Sequence, residues 1–266
     1  MKKILIFIVL FLSCAYANAQ RKHVLNLSTY DNKKFHWGFS LGVNTVDYRL
    51  HFYDAMGDNP DFTYDSRWAS DTPYDVMSSS QLRADLQTVQ AGFTVAIIAD
   101  YRLGDYFNLR FLPGLSFGER QLVYTFRGNS TMPVERMPIY NIYTGQEDQL
   151  YIPMHSTYLE FPILLKYKSS RLNNQKPYII GGMAYRQDVS RTGEEDLINL
   201  KGGSFYVEFG VGLDSYLPYF KFSTELKFSL GLQNLIDSPS KDQRRYYSES
   251  ISSIASNIFT LSFHFE

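Results

Sequence analysis

Cysteine is almost missing from this sequence: Cys14 is the one cysteine in 266 residues. A disulfide framework is therefore excluded as the source of its stability. Long apolar runs are also missing. Beyond Gln20 no stretch approaches the roughly 20 residues that a membrane helix needs. An excess of positive charge is missing too, since the formal net charge is −1. That near-neutral balance gives no footing for a nucleic-acid partner. No Gly-rich loop sits between a strand and a helix to cradle phosphate. No His, Cys and carboxylate spacing fits zinc. No Pro/Ser-rich linker divides the chain, so the length reads as one large domain.

The N-terminus carries an export pattern. Lys2 and Lys3 precede an apolar run, Ile4 to Leu12, that is too short to span a bilayer. Ala17-Asn18-Ala19 is a small-x-small cleavage site. The expected division is a cleavable signal peptide over 1–19 and a mature domain over 20–266. A lipoprotein acylated at Cys14 is the rival reading, but Phe11-Leu12-Ser13 fits a lipobox only loosely. Cleavage after Ala19 removes Lys2 and Lys3, leaving 24 basic against 27 acidic residues and a net charge of −3. The mature chain is then either a soluble secreted domain or a membrane barrel.

What the sequence does have is aromatic residues and alternation. Aromatics make up 16% of the chain, with 21 Tyr and 20 Phe, which suits interfacial girdles and Tyr-rich loops. In the last stretch Phe259, Leu261, Phe263 and Phe265 share one face of a strand. Thr260, Ser262 and His264 share the other. As an edge strand in water this ribbon would invite aggregation. As the closing strand of a barrel it turns its apolar face to lipid. The pattern also resembles the terminal signal read by the outer-membrane barrel assembly machinery, with Glu266 following the aromatic residue.

Seven earlier segments alternate in the same way: Trp37 to Val46, Val89 to Leu103, Phe107 to Gln121, Thr157 to Lys168, Pro177 to Gln187, Ser204 to Ser215 and Phe220 to Leu232. The fifth of them has no clear phase. Short polar turns follow the second, fourth and sixth. Long connections follow the others: Asp47 to Gln87, Leu122 to Ser156, Asp188 to Gly203 and Gln233 to Ser256. The expected fold class is all-β, an eight-stranded antiparallel transmembrane β-barrel with long extracellular loops and short periplasmic turns. An even strand number puts both termini at the periplasmic rim.

That topology sets Trp37, Tyr101, Phe107, Tyr167, Phe220 and Phe265 at one height near the periplasmic rim, as an aromatic girdle. The face opposite the apolar one carries Arg110, Glu160, Lys166, Glu208, Glu225 and Lys227. These charges are expected inside the bore as a structural ion-pair network near mid-height. Eight strands enclose a bore that side chains fill, so a plugged interior is expected and not a pore.

No catalytic constellation stands out, and no enzyme activity or cofactor is expected. His155-Ser156 and His264 evoke a membrane-barrel hydrolase, but adjacent strand residues face apart. An Asp-rich first loop (Asp54, Asp58, Asp61, Asp65, Asp71, Asp75) lacks EF-hand spacing for calcium. In the same loop Tyr48, Tyr53, Tyr64, Trp68 and Tyr74 read as contact residues or as loop self-packing.

Leu109-Arg110-Phe111-Leu112-Pro113-Gly114-Leu115-Ser116-Phe117-Gly118-Glu119-Arg120 and Tyr158-Leu159-Glu160-Phe161-Pro162-Ile163-Leu164-Leu165-Lys166-Tyr167 resemble PorT-type outer-membrane barrels. Phe35 to Asp47 and Lys176-Pro177-Tyr178-Ile179-Ile180-Gly181-Gly182 fit as well. The second of these stretches is shared by a broad set of barrels, whereas the first is narrower. The resemblance implies a part in type IX secretion and gliding, and it brings no catalytic residues. Expected partners are outer-membrane lipid, the assembly machinery during biogenesis and other secretion-system proteins. The alternative is a general outer-membrane barrel of the adhesin or small-pore kind; an outer-membrane lipid enzyme is a remoter one. Pro113, Gly114 and Gly118 also read as a bend or bulge that makes room in a narrow barrel.

Overall fold

The computed structural model describes residues 24–53, 59–60, 82–86, 91–126, 150–190, 201–236 and 251–266. The expected signal peptide and most of the Asp-rich loop lie outside them. The described strands are β1 (Phe35–Phe52), β2 (Leu82–Leu86), β3 (Ala91–Arg102), β4 (Phe107–Phe111), β5 (Gly114–Phe126), β6 (Leu150–Lys168), β7 (Gln175–Asp188), β8 (Gly203–Tyr216), β9 (Lys221–Gly231) and β10 (Ile251–Phe265). Every pairing is antiparallel. The ladder runs from β10 through β9, β8, β7 and β6 to β4 and β5, then to β3 and β1. β1 is bonded along both edges, with Phe39 opposite Phe265 of β10 and Ile97 of β3. The ladder thus returns to its start, and the backbone groups along it are satisfied without water. β2 leads into β3, and β4 into β5, so the ten segments occupy eight positions around the ring.

Burial follows the two-residue period. Trp37, Phe39, Leu41 and Val43 of β1 are exposed, while Ser40 and Asn44 on the opposite parity are buried. The same holds on β8, where Phe205, Val207, Phe209, Val211 and Leu213 are exposed and Ser204, Glu208 and Asp214 are buried. The barrel is apolar outside and polar inside, the inverse of a soluble domain, and the outer band is its lipid face.

Four sequence expectations need correction. First, several long connections are partly strand. β1 continues to Phe52, β5 to Phe126, β6 begins at Leu150 and β10 at Ile251. The cause is an inversion of the pattern above the lipid band. On β1, Asp47, Arg49 and His51 turn outward, while Val46 and Tyr48 are buried inside. There the barrel has water outside and an apolar core within, joined by Tyr158, Tyr206, Ile254 and Ile258. Second, Tyr48 is accordingly a core residue, its hydroxyl 3.5 Å from that of Tyr158. Third, Pro113 makes no bulge. Ala99 faces Phe111 and Ala96 faces Gly114, so the register is the same on both sides of the gap. Proline lacks the N–H that would continue the ladder. Gly114 does meet a close approach, since a Cβ there would fall 2.6 Å from the Cβ of Ala96. Fourth, His155 lies within β6, opposite Glu119, and not at a loop end.

Candidate functional site

The bore is the place where this sequence concentrates chemistry. Arg110, on β4, is fully buried and reaches three carboxylates. It lies 2.9 Å from Asp100 on the neighbouring β3, 3.2 Å from Glu225 on β9 and 3.1 Å from Glu266. β4 and β9 lie four positions apart in either direction around the eight-position ring, so the Arg110–Glu225 pair crosses its diameter. The Tyr178 hydroxyl donates to Glu225 at 2.8 Å, and His264 stands 3.3 Å from the same carboxylate. Beside this cluster Lys166 bonds Asp214 at 2.8 Å and sits 3.6 Å from the centroid of the Tyr178 ring, a cation–π contact. Gly212 makes this possible, because a Cβ there would lie 2.2 Å from Tyr178 Cζ.

A second ion layer lies nearer the extracellular end. Arg186 of β7 is held by Glu160 at 2.9 Å and Glu208 at 2.7 Å, and Lys227 bonds Glu208 at 3.0 Å. Ser229 donates to Glu208 at 2.7 Å. Between the layers, one side of the bore is filled by Ala96, Ile98, Leu112, Leu164 and Ile180. Buried charges in such a medium persist only when paired and hydrogen-bonded. As chemistry, the arrangement ties walls together. Among the described residues no group of His, Cys, Asp and Glu is placed to hold a metal ion.

The six charges expected in the bore are all there and buried, but not as one network. Arg110, Lys166 and Glu225 belong to the lower layer; Glu160, Glu208 and Lys227 belong to the upper. Alternation sets Asp100, Asp214 and Lys221 on the same polar faces, although the expected network of six left them out; Glu266, whose side chain also turns into the bore, was not read from the sequence. The reading of the sequence also missed Arg186, the centre of the upper layer. Lys176, Tyr178 and Arg186 share one parity on β7 and were the available signal. Ile180 and Ala184 on that face obscured it, as both are buried in the bore.

The expected girdle residues Trp37, Tyr101, Phe107, Tyr167 and Phe220 all point outward and are exposed. They have outward company at the same rim in Phe35, Tyr106 and Tyr219. Phe107 lies opposite Tyr167 with ring centroids 5.1 Å apart. On β10, Phe259, Leu261, Phe263 and Phe265 occupy the outward face. Phe265 stacks on Phe39 at 4.8 Å, and Phe259 packs on Phe228 at 4.9 Å.

The periplasmic mouth is covered by the segment before β1. A 3-10 turn, Tyr30–Asn32, lies across it. Tyr30 stacks on His36 at 4.2 Å, and its hydroxyl donates to Glu266 at 3.3 Å. Burial and the Glu266 carboxylate push the Tyr30 phenol well above its usual range, against the charge of Lys221. Asp31 bonds Lys176 at 3.2 Å and accepts from the Tyr216 hydroxyl at 2.9 Å. Burial alone would raise its pKa, but Lys176, the Tyr216 hydroxyl and Lys168 hold the carboxyl below the ordinary range.

The family model of the outer membrane protein beta-barrel domain matches residues 18–237. The chain belongs to that family. It is an outer-membrane β-barrel. No curated protein matches it. Among solved structures it is similar to Ail, the attachment invasion locus protein of Yersinia pestis, at 8% identity over 88% of this chain and 98% of that one, with a TM-score of 0.31. It is similar to the outer membrane protein AlkL in lipid bilayers at 11% identity over 92% and 94%, with a TM-score of 0.37. A Pseudomonas aeruginosa FadL homologue is similar at 12% identity over 88% and 65%, with a TM-score of 0.25.

Proposed function

We propose that this barrel is non-enzymatic and non-conducting, works through its rims, and serves as an accessory of type IX protein secretion. The observation that supports a non-conducting bore is the contact of Arg110 with Glu225 on the opposite wall. That contact, the second ion layer and the apolar side chains between them fill an eight-position bore that is only wide enough for side chains. The secretion role rests on the PorT-like stretches Leu109 to Gln121 and Tyr158 to Tyr167. The deciding experiment deletes the gene and follows proteins that carry the C-terminal secretion signal. Their accumulation in the periplasm is the expected outcome, and unchanged export overturns the role.

One observation favours a second reading, a general surface barrel of the adhesin kind. β1 and β10 continue beyond the lipid band, and β1 there carries Asp47, Arg49 and His51 outward into solvent. Normal secretion in the deletion strain, together with lost attachment to surfaces or cells, selects that reading.

A further inference from the structure

Beyond that reading lies the mouth of the barrel. We propose that it is a peptide-binding site, and that Val24–Lys34 is an exchangeable ligand built into the same chain. The site is assembled from five places in the fold. The β6–β7 turn supplies Arg171 and Asn174, β7 supplies Lys176, β8 supplies Tyr216, β9 supplies Lys221, and Glu266 follows β10. These groups read a peptide in the way a receptor does. Asn174 accepts from the backbone N–H of Asn26 at 3.0 Å and donates to the carbonyl of Val24 at 2.9 Å. Arg171 donates to the carbonyl of Asn26, and the Asn26 side chain donates to the carbonyl of Tyr216 at 3.0 Å. Tyr30 fills an aromatic slot between His36 and Tyr216, with the Lys221 ammonium 4.9 Å from its centroid. Asp31 enters a carboxylate receptor made by Lys176 and the Tyr216 hydroxyl, and Tyr216 is 1% exposed.

The charges define the ligand class. Asp214 is taken by Lys166, and Glu266 by Lys221 and Arg110. Asp31 is the carboxylate facing Lys176 and Lys168. A displaced strap thus leaves a cationic, aromatic-lined mouth. It fits a turn-forming segment that presents a tyrosine followed by an acidic residue.

Two features make the strap exchangeable. Apart from the Tyr30 ring its contacts are polar and lie at the water-facing end, while Val24 and Leu25 are 84% and 57% exposed. Leu27 is held at φ 49°, a left-handed conformation rare for a branched side chain. The bound strap is therefore strained at Leu27 and anchored by two half-buried side chains, Tyr30 and Asp31, with most of its other residues exposed.

The test uses the full chain with Cys14→Ser and a spin label at Ser28→Cys, an exposed strap position. In the parent protein the label should be restricted. An excess of free peptide with the sequence of Val24–Lys34 should shift the label to a mobile spectrum, and Tyr216→Phe should do the same without peptide. On unboiled gels the folded barrel should keep the same apparent mass in both cases. A peptide carrying Asp31→Ala should fail to compete. A label already mobile in the parent overturns the proposal. So does a spectrum that responds neither to peptide nor to Tyr216→Phe, or competition by the Asp31→Ala peptide equal to that of the native one.

Discussion

At the scale of single residues the barrel depends on Arg110. It faces Asp100, Glu225 and Glu266 at once, so removing it leaves three buried carboxylates with their shared cation gone. Breaking a buried pair in this way typically costs about 3–5 kcal/mol. Arg110→Met should therefore lower the urea midpoint of the folded band sharply. Glu266→Gln should cost less, since it removes a negative charge and leaves an amide that still bonds. An Arg110→Met protein as stable as the parent would refute the electrostatic account. Arg110 and Glu225 were legible in the sequence because each lies on the face opposite the apolar one of an alternating strand. Glu266 was not, because an outward aromatic pattern does not say that the next side chain turns in to meet Arg110 and Lys221. Arg186 was hidden by its apolar neighbours on the same inward face.

At the scale of elements, alternation revealed the membrane-spanning strands but not their extensions. A search for apolar residues facing out fails where the environment outside changes from lipid to water, as between Val43 and Asp47. The register across Pro113 was equally out of reach, since a proline looks the same in a bulge and in an interrupted ladder. Two predictions belong to elements. β10 is proposed as the assembly signal, with Phe265 at the interface. A charge there costs only about 0–1 kcal/mol on the lipid face. A large drop in protein level for Phe265→Asp is expected and reports failed recognition; a normal level argues against the signal. The second concerns the strap. Asp31 has a folded pKa below its unfolded value, so its stabilising contribution is complete above about pH 4 and is lost as pH falls through the folded value. The groups that face it are Lys176 of β7, Lys168 of β6 and Tyr216 of β8, with Glu266 and His36 meeting Tyr30 beside it. A label at Ser28→Cys should become mobile on acidification below that range while the barrel band persists, and Asp31→Asn should abolish the transition.

At the scale of the whole molecule, the inverted arrangement of polarity decides where the protein resides, and the side chains in the bore are the basis for proposing that it does not conduct. Purified protein in planar bilayers should show no steady single-channel conductance. Steady openings would overturn the non-conducting reading, whatever the secretion phenotype. The membership of a barrel family leaves function open, because the same fold carries many tasks. Length, signal pattern and alternation were enough to read the class. They could not show that the ion pairs form two layers, because vertical position in a barrel depends on the stagger between strands, which alternation alone does not encode.

The bond from Arg110 to Glu225 also has a mechanical side. A hollow tube in a bilayer responds to sideways pressure by becoming oval, with its hydrogen-bonded seams bending in turn. A strut across the diameter opposes that deformation. β4 and β9 share no ladder, yet their separation is fixed by the guanidinium between them. Amide exchange on these two strands should therefore slow and quicken together. In Arg110→Met the two should come apart, each following its own neighbours, as the wall regains the compliance of an unbraced cylinder.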